Sequence, residues 1–505
     1  MAGTLPRMFL FRTKPIESLV QADHEGGLKR VLGPANLVAL GIGAIIGTGI
    51  FVLTGQAAAA HAGPAIVLSM VLAGVVSALA GLCYAELAST VPIAGSAYTY
   101  SYATLGEFVA WLIGWDLVLE YALGAATVAV GWSGYFVRVL SDFGITFPAI
   151  VSAAPGTAVT APDGTTVTAI FNLPAVVIAI LVTALLVRGV RESATVNGAM
   201  VVVKVTVVLL VIATGVWFVN ADRFTPLIPP NTGTFGEFGW SGVMRGAAVI
   251  FFAYIGFDAV STAAQEARRP QRDMPVGILG SLAICSVLYV AVAAVMIGLV
   301  PYSQLGGPAP MAVTIDYARE AARGSSLAGL LAMMPVLVKI AILAGLTSTM
   351  VVQVMAQPRI FMAMSRDGLL PAWMGRVHPR FGTPHLTTIA TGTVVALAAG
   401  LTPIDVLGHM VSIGTLFAFV VVSAGVVILR KTHPDLERPF RTPWSPAVPI
   451  LSATLSLALM LSLPGETWTR LFVWMAIGVV IYFTYGFKRS RLAGVDPVSR
   501  PVTAS

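Results

Sequence analysis

The chain has 505 residues, of which 57% are hydrophobic and only 10% charged, with a mean hydropathy of +0.86, and no water-soluble globular protein is so composed. Apolar runs of membrane-spanning length recur along nearly the whole chain, which excludes a soluble domain on a single anchor, and the alternating pattern of an outer-membrane barrel is absent. The net charge of +7 would suit a nucleic-acid surface, but in a membrane protein the same excess arises from cationic loops on the cytoplasmic side.

In chain order, the opening "MFLFRTKPIESLVQADHEGGLKR" has neither a long apolar core nor a small-residue cleavage site, so no removable signal peptide is predicted. Hydropathy then predicts about twelve spans, at roughly 35–59, 64–88, 107–138, 170–189, 194–219, 241–264, 275–300, 328–358, 384–401, 404–429, 446–463 and 469–487. Lys and Arg alternate between the connecting segments as a bundle requires. One side carries Arg7, Arg12, Lys14, Lys29 and Arg30, then Arg188 and Arg191, then Arg268, Arg269 and Arg272, then Arg359, Arg366, Arg376 and Arg380, then Arg430, Lys431, Arg438 and Arg441, and lastly Lys488, Arg489, Arg491 and Arg500. The other side has only Arg138, Arg223, Arg319, Arg323 and Arg470. Both termini are therefore predicted cytoplasmic, in a cytoplasmic-membrane protein, and no nucleic-acid partner is expected. The long outside segment "SDFGITFPAIVSAAPGTAVTAPDGTTVTAIF" shows no periodicity and reads as a flexible connection. Cys83 and Cys285 sit in apolar runs without metal-ligand spacing and read as small core residues.

Two spans carry breaks. Span 1 contains "GIGAIIGTGIF", in which Gly41, Gly43, Gly47 and Gly49 each cost a helix about 1 kcal/mol relative to Ala. Span 6 contains "MRGAAVIFFAYIGFDAVSTAAQE", with Gly256 among aromatic residues and Asp258 two positions on. Spans 1 and 6 run in opposite directions, and paired interruptions in two halves of opposite orientation mark an inverted-repeat transporter with its site at the membrane midplane. The physical reason is that unwound backbone in hydrocarbon leaves N–H and C=O groups unsatisfied, which is tolerated only where it lines a cavity. Half-helix N-termini suit a carboxylate and C-termini an ammonium, and an amino acid carries both groups. Taken singly, small residues at this spacing mean close helix packing. The pairing of the two breaks favours the site, with Gly41 and Gly43 expected to end one half-helix, Gly47 and Gly49 to begin the next, and Ala44 to Ile46 to be unwound.

The stretches "GIGAIIGTGIF", "CYAELASTVPIAGSAYTYSYATLGE", "GWDLVLEYA", "IFFAYIGFDAVSTAAQEARRPQRDMPVGI" and "RIFMAMSRDGLLP" together resemble the cationic amino acid transporter branch of the amino acid, polyamine and organocation superfamily, whose bacterial members have about twelve spans. The resemblance covers nearly the whole chain. It implies an all-α integral membrane protein of the LeuT-type fold with a 5+5 inverted repeat and discontinuous helices 1 and 6. The expected division is a cytoplasmic segment 1–34, a first repeat 35–219 (spans 1–5), a second repeat 241–430 (spans 6–10), peripheral spans 11 and 12 within 446–487, and a cytoplasmic tail 488–505. The resemblance further implies that Ile45, Gly47, Thr48 and Gly49 at the first break, and Phe252, Ala253 and Ile255 at the second, meet the substrate through backbone. Phe252 could also close over the site as a gate, although core or lipid packing is the commoner fate of an aromatic residue in a span.

Charges at membrane depth are expensive and each needs a partner or a function. Glu120 and Asp116 lie one turn apart in span 3, and the resemblance puts Glu120 nearer the pocket, leaving Asp116 to pair elsewhere or to bond water. Asp258 either reads the substrate side chain or caps the inner half-helix of span 6. Lys204, about ten residues into span 5, is too deep to reach the membrane surface. In proton-coupled relatives a lysine there takes the place of sodium, which implies bonds to span-1 carbonyls and to the span-8 hydroxyls Thr347 and Ser348, with a static ion pair as the competing reading. Lys339 lies closer to the outside and could snorkel, and Glu86, Glu266 and Arg268 are expected in cytoplasmic gate or loop contacts. The expectation is a secondary transporter in the lipid bilayer, working by alternating access, for cationic or broad-range L-amino acids. The proton would be the coupling ion, with no metal or other cofactor and no sodium. An exchanger of amino acids or polyamines, or a sensor that does not transport, stays open, as does a small accessory membrane subunit. The spans show no HExxH, Cys–His pair or aspartate dyad that would make an enzyme.

Overall fold

The computed structural model describes residues 12–15, 30–91, 96–160, 164–189, 194–323 and 328–494. The predicted cationic positions Arg7, Lys29, Arg191 and Arg500, most of the segment 1–34 and the end of the tail 488–505 lie outside them. The described chain is an α-helical bundle. Eight helical stretches are long and apolar enough to cross a membrane, and four shorter apolar helices accompany them, Pro34–Ile45, Leu173–Val187, His385–Leu401 and Ala447–Ser462.

These resolve into twelve spans once two facts are combined. The helix Pro34–Ile45 is only the first half of span 1, which resumes at Gly49 and ends at Ala62. The apolar stretch from Gly49 to Thr90 turns sharply at Gly63, whose φ of 59° ends span 1 before span 2, Ile66–Thr90, begins. Span 3 is Glu107–Val118 joined through a π-helical turn, Leu119–Leu123, to Gly124–Asp142. Spans 4 and 5 are Leu173–Val187 and Ala194–Gly215. Span 6 starts as Gly239–Ile250, tightens to a 3-10 turn at Phe251–Tyr254, breaks, and continues as a second 3-10 segment, Asp258–Glu266. Spans 7 to 11 are Pro270–Leu299, Ala328–Arg366, His385–Leu401, Ile404–Thr432 and Ala447–Ser462. Span 12 is Gly465–Ile481 with a π turn, Tyr482–Gly486, at its end.

Spans 1, 2, 6 and 7 pack on one another, spans 3, 4, 8 and 9 form a second group, and span 5 bridges spans 1, 7 and 8. Span 10 lies against spans 2, 3, 6 and 11. Close approach depends on small residues because lipid supplies no hydrophobic drive between helices: a Cβ at Gly81 of span 2 would lie 3.2 Å from Leu282 of span 7. Span 12 is held to span 3 by indoles, with Trp111 donating to Gly478 O (2.9 Å), Trp115 to Trp474 O (2.9 Å) and Trp474 to Trp115 O (3.2 Å).

The N- and C-terminal segments meet on one face, where Arg12 Nη1 donates to Leu492 O at 2.6 Å. On this terminal face Lys14 pairs with Asp367 (2.8 Å), which also accepts from the Tyr98 hydroxyl (2.7 Å). Buried Glu107 accepts from Tyr102, Tyr482 and Ser490. Glu86 accepts from Nε and Nη2 of Arg430, at 2.9 and 2.6 Å, and from the Thr442 N–H at 2.7 Å, and Leu32 exchanges backbone bonds with Glu266 and Arg268.

On the opposite face two expectations are corrected. The long connection is not featureless, since Ala158–Thr160 and Thr166–Thr168 pair as an antiparallel hairpin, with Val159 opposite Val167 and Thr160 opposite Thr166. Lys339 does not snorkel: it is 1% exposed, and its ammonium binds Asp142 at 2.9 Å and Asp316 at 3.1 Å, while Arg138 binds Asp316 at 2.9 Å. The two carboxylates, brought from span 3 and from the short helix Pro310–Ala321, satisfy the ammonium in place, so nothing draws it to the surface.

Candidate functional site

The first break falls two residues later than the glycine spacing suggests. The helix runs through Gly41 and Gly43 to Ile45, and Ile46 leaves it with ψ of 103°, so Ile46 and Gly47 rather than Ala44 to Ile46 are unwound. Gly41 serves packing instead, because a Cβ there would meet the Ser281 side chain of span 7. The last helical bond runs from Ile46 N–H to Ile42 O at 2.9 Å, and the carbonyls around the break find donors from other spans. Gly43 O accepts from Lys204 Nζ at 2.7 Å, Ile45 O from the Tyr289 hydroxyl at 2.8 Å, and Ile46 O from the Thr349 hydroxyl at 3.2 Å. Just beyond, Phe51 O accepts from the Tyr135 hydroxyl at 2.7 Å. The demand that buried carbonyls be satisfied is thus met by side chains of spans 3, 5, 7 and 8.

The hydroxyl beside Lys204 is Thr349, at 2.8 Å, and not Thr347 or Ser348. Thr347 faces a different way and donates to Leu343 O of its own helix at 2.8 Å. Thr349 lies two residues on, roughly 200° around the helix at about 100° per residue, and there its hydroxyl reaches both Ile46 O and Lys204.

The second break lies beside the first. Ile255 is extended and Gly256 has φ of 118°, a conformation that L side chains rarely adopt. The two breaks approach each other at a glycine of each: a Cβ on Gly256 would lie 2.8 Å from the Ala44 carbonyl carbon, and one on Gly49 would overlap Ala253 Cα. Gly49 and Ala253, both expected to face substrate, therefore touch one another. Asp258 follows the break, accepting from Gly256 N–H at 3.3 Å and from Ser96 Oγ at 3.5 Å. It caps the broken backbone, and it also lies beside Glu120, whose carboxyl adjoins both Asp258 and Thr415. Both acids are 2% exposed, and Glu120 sits in the π turn of span 3; such turns recur at functional sites.

Phe252 does not face lipid. With Leu53, Ile255 and Val411 it forms a small buried apolar cluster apart from the main core, on the side of the breaks away from the terminal face. Ile45, Thr48, Gly49, Phe252, Ala253 and Ile255 are all buried, while Gly256 of the second break is half-buried. Several buried polar atoms here have no partner among the described residues, namely Thr48 Oγ1, Glu120 Oε1, both oxygens of Asp116, Gln353 Oε1, and both amide atoms of Gln357. Tyr135, Tyr289 and Thr349 were missed in the sequence because an aromatic residue or a threonine in an apolar span gives no sign that its hydroxyl serves a distant carbonyl.

A family model for amino acid permeases matches residues 32–482. The chain is 45% identical over 483 residues to the methylthioribose transporter of Bacillus subtilis (strain 168), covering 96% of this chain and 99% of that protein. It is 46% identical over 485 residues to the branched-chain amino acid permease BcaP of the same organism, with the same coverage of each. To the vacuolar cationic amino acid transporter 4 of Arabidopsis thaliana it is 39% identical over 432 residues, covering 84% of this chain and 68% of that protein.

Proposed function

The chain belongs to the amino acid permease family of the amino acid, polyamine and organocation superfamily, a family of multi-pass membrane transporters rather than enzymes, and from that premise we propose that it takes up L-amino acids by alternating access, coupled to protons. The observation that carries the coupling is Lys204, buried and bonded to Gly43 O of the first break and to Thr349 of span 8. An ammonium held there ties spans 1, 5 and 8 together, and its deprotonation removes the positive charge that strengthens both bonds, so the break and the proton load are physically linked. Sodium is not required in this scheme, since the ammonium supplies the cation. The terminal face, rich in Lys and Arg, is the cytoplasmic one under this reading.

For the substrate, the unwound backbone at Ile46–Gly47 and Ile255–Gly256 suits the α-amino and α-carboxyl groups shared by all amino acids. Side chains would then enter between the Glu120–Asp258 pair and the apolar cluster of Phe252, Ile255, Leu53 and Val411. The acids favour cationic side chains within a broad range. A second reading, a preference for branched apolar side chains, is favoured by the apolar cluster and by the branched-chain name of one relative.

Two experiments in reconstituted vesicles test the proposal. Uptake with and without an inward proton gradient, in wild type and in Lys204→Met, should show an acceleration that the variant loses; an equal acceleration in the variant removes Lys204 from the coupling. A panel of Arg, Lys, Leu, Ala and Glu separates the side-chain readings, and Asp258→Asn should weaken Arg more than Ala if the acid reads charge. Equal losses make Asp258 a cap alone. Tracer accumulation separates all of these from a sensor that binds without transport.

A further inference from the structure

Asp116 sits in span 3 one helical turn closer to the terminal face than Glu120. It is 0% exposed, and neither carboxyl oxygen has a hydrogen-bond partner among the described residues. The opposing residue on span 10 is Gly414, where a Cβ would stand 2.9 Å from Oδ1, so a glycine provides the room the carboxyl occupies. Among the described residues, the neighbours of the stretch from Gly114 to Glu120 bring no cation. Span 10 brings Gly414 and Thr415, span 8 brings Met364, the helix Ser96–Thr104 brings Tyr98, and span 12 brings Trp474. The ionisable groups facing the region are acids: Glu120, with Asp258 beyond it, and Glu107 about 13 Å toward the terminal face at 1.5 Å per residue, next to the Lys14–Asp367 pair.

A carboxylate in such a place would have neither donor nor counter-ion, and a buried acid in that position takes up a proton instead. A neutral Asp116 has a hydroxyl to donate, and Glu120 Oε1, itself without a partner, lies one turn away. The π turn at Leu119–Leu123 inserts its extra residue at this point, which lets Glu120 reach Asp258 while Asp116 remains below it on the same helix.

We propose that Asp116 carries a proton while it is buried in this way and is the station from which the transported proton leaves toward the terminal face. When that face opens, the Asp116 carboxylic acid gives its proton to entering water and becomes a carboxylate. A protonated Glu120 then returns a proton to it, becoming a carboxylate in turn, so that one proton passes from the substrate site to the cytoplasm with no other reactant. This inference rests on the proton-coupled reading above and adds to it a residue outside the substrate contacts.

The test uses the full chain, purified, in two arms. In the first, infrared difference spectra of wild type against Asp116→Asn at neutral pH should show loss of a protonated-carboxyl C=O band; loss of a carboxylate band overturns the proposal. In the second, vesicle uptake with an inward proton gradient is compared with counterflow without one. Wild type should accelerate several-fold under the gradient, whereas Asp116→Asn should hold counterflow and lose the acceleration, and Asp116→Glu, which keeps an acid, should recover most of it. An undiminished gradient response in Asp116→Asn refutes the proton station. If the asparagine variant fails to fold, Asp116→Glu against wild type still decides, because a shifted pH profile of gradient-driven uptake is expected and an unchanged profile refutes it. Should wild type itself ignore the gradient, the coupling reading fails, while the infrared arm separately decides whether Asp116 is protonated.

Discussion

Gly256→Ala is predicted to be among the most damaging single-methyl additions in this protein, and its magnitude follows from two terms. The residue has φ of 118°, and holding a side chain there costs about 1–3 kcal/mol. The added Cβ would also stand 2.8 Å from the Ala44 carbonyl carbon and 2.9 Å from its oxygen, an overpacking against backbone that costs about another 1–3 kcal/mol. The sum, about 2–6 kcal/mol, is comparable to a protein's whole margin of stability. Gly47→Ala is a milder case, its Cβ meeting the Thr349 side chain, with the methyl at 3.1 Å and the hydroxyl at 3.4 Å. Gly198→Ala is the control, with nothing within 4 Å near the start of span 5, and should stabilise by about 0.4–1 kcal/mol. The three variants are compared by thermal unfolding in detergent and by tracer binding of one amino acid. The expected order of stability is Gly198→Ala, wild type, Gly47→Ala, Gly256→Ala, with binding lost in the last even where protein can be recovered. If Gly256→Ala unfolds with the control and binds as wild type does, the two breaks are not in fixed contact and the account of the site fails.

Lys339→Met leaves Asp142 without its cation and Asp316 with Arg138 alone; removing one partner of a buried ion pair costs about 3–5 kcal/mol. The partial exposure of both carboxylates (22% and 20%) should hold the loss near the lower end, and adding Asp142→Asn should recover stability in the same thermal assay, since Asp316 keeps Arg138. Tyr289→Phe strands the Ile45 carbonyl at the break and should lower stability by about 1–3 kcal/mol, with substrate binding weakened as well, whereas a neutral effect would mean that another donor reaches Ile45. Glu86→Gln keeps shape but removes the charge that holds Arg430 and the Thr442 N–H. It should cost about 1–3 kcal/mol, read as a lowered unfolding temperature at low salt and at high salt alike, because the Glu86 end of the pair is buried.

Hydropathy and the alternation of Lys and Arg were enough to establish a helical membrane bundle of twelve spans, because each span must satisfy its own backbone and so leaves a local trace of about twenty apolar residues. The paired breaks were legible for the same reason: glycines and a midspan acid are locally anomalous in spans 1 and 6. The sequence could not say where the helix of span 1 stops, since Gly41 and Gly43 look like Gly47 and Gly49 until Ser281 and Ala253 are brought against their respective positions. Nor could it choose Thr349 over Thr347 and Ser348, which lie within one turn and differ only in the direction each faces toward span 5. Lys339 read as a surface-seeking cation because its partners are 197 and 23 residues away. The isolation of Asp116 depends on what spans 8, 10 and 12 fail to bring near it. Local composition determined which segments cross the membrane and which of them break, whereas the partner of each buried carbonyl, ammonium and carboxyl was decided by packing between spans distant in the chain, and only the tertiary structure holds that information.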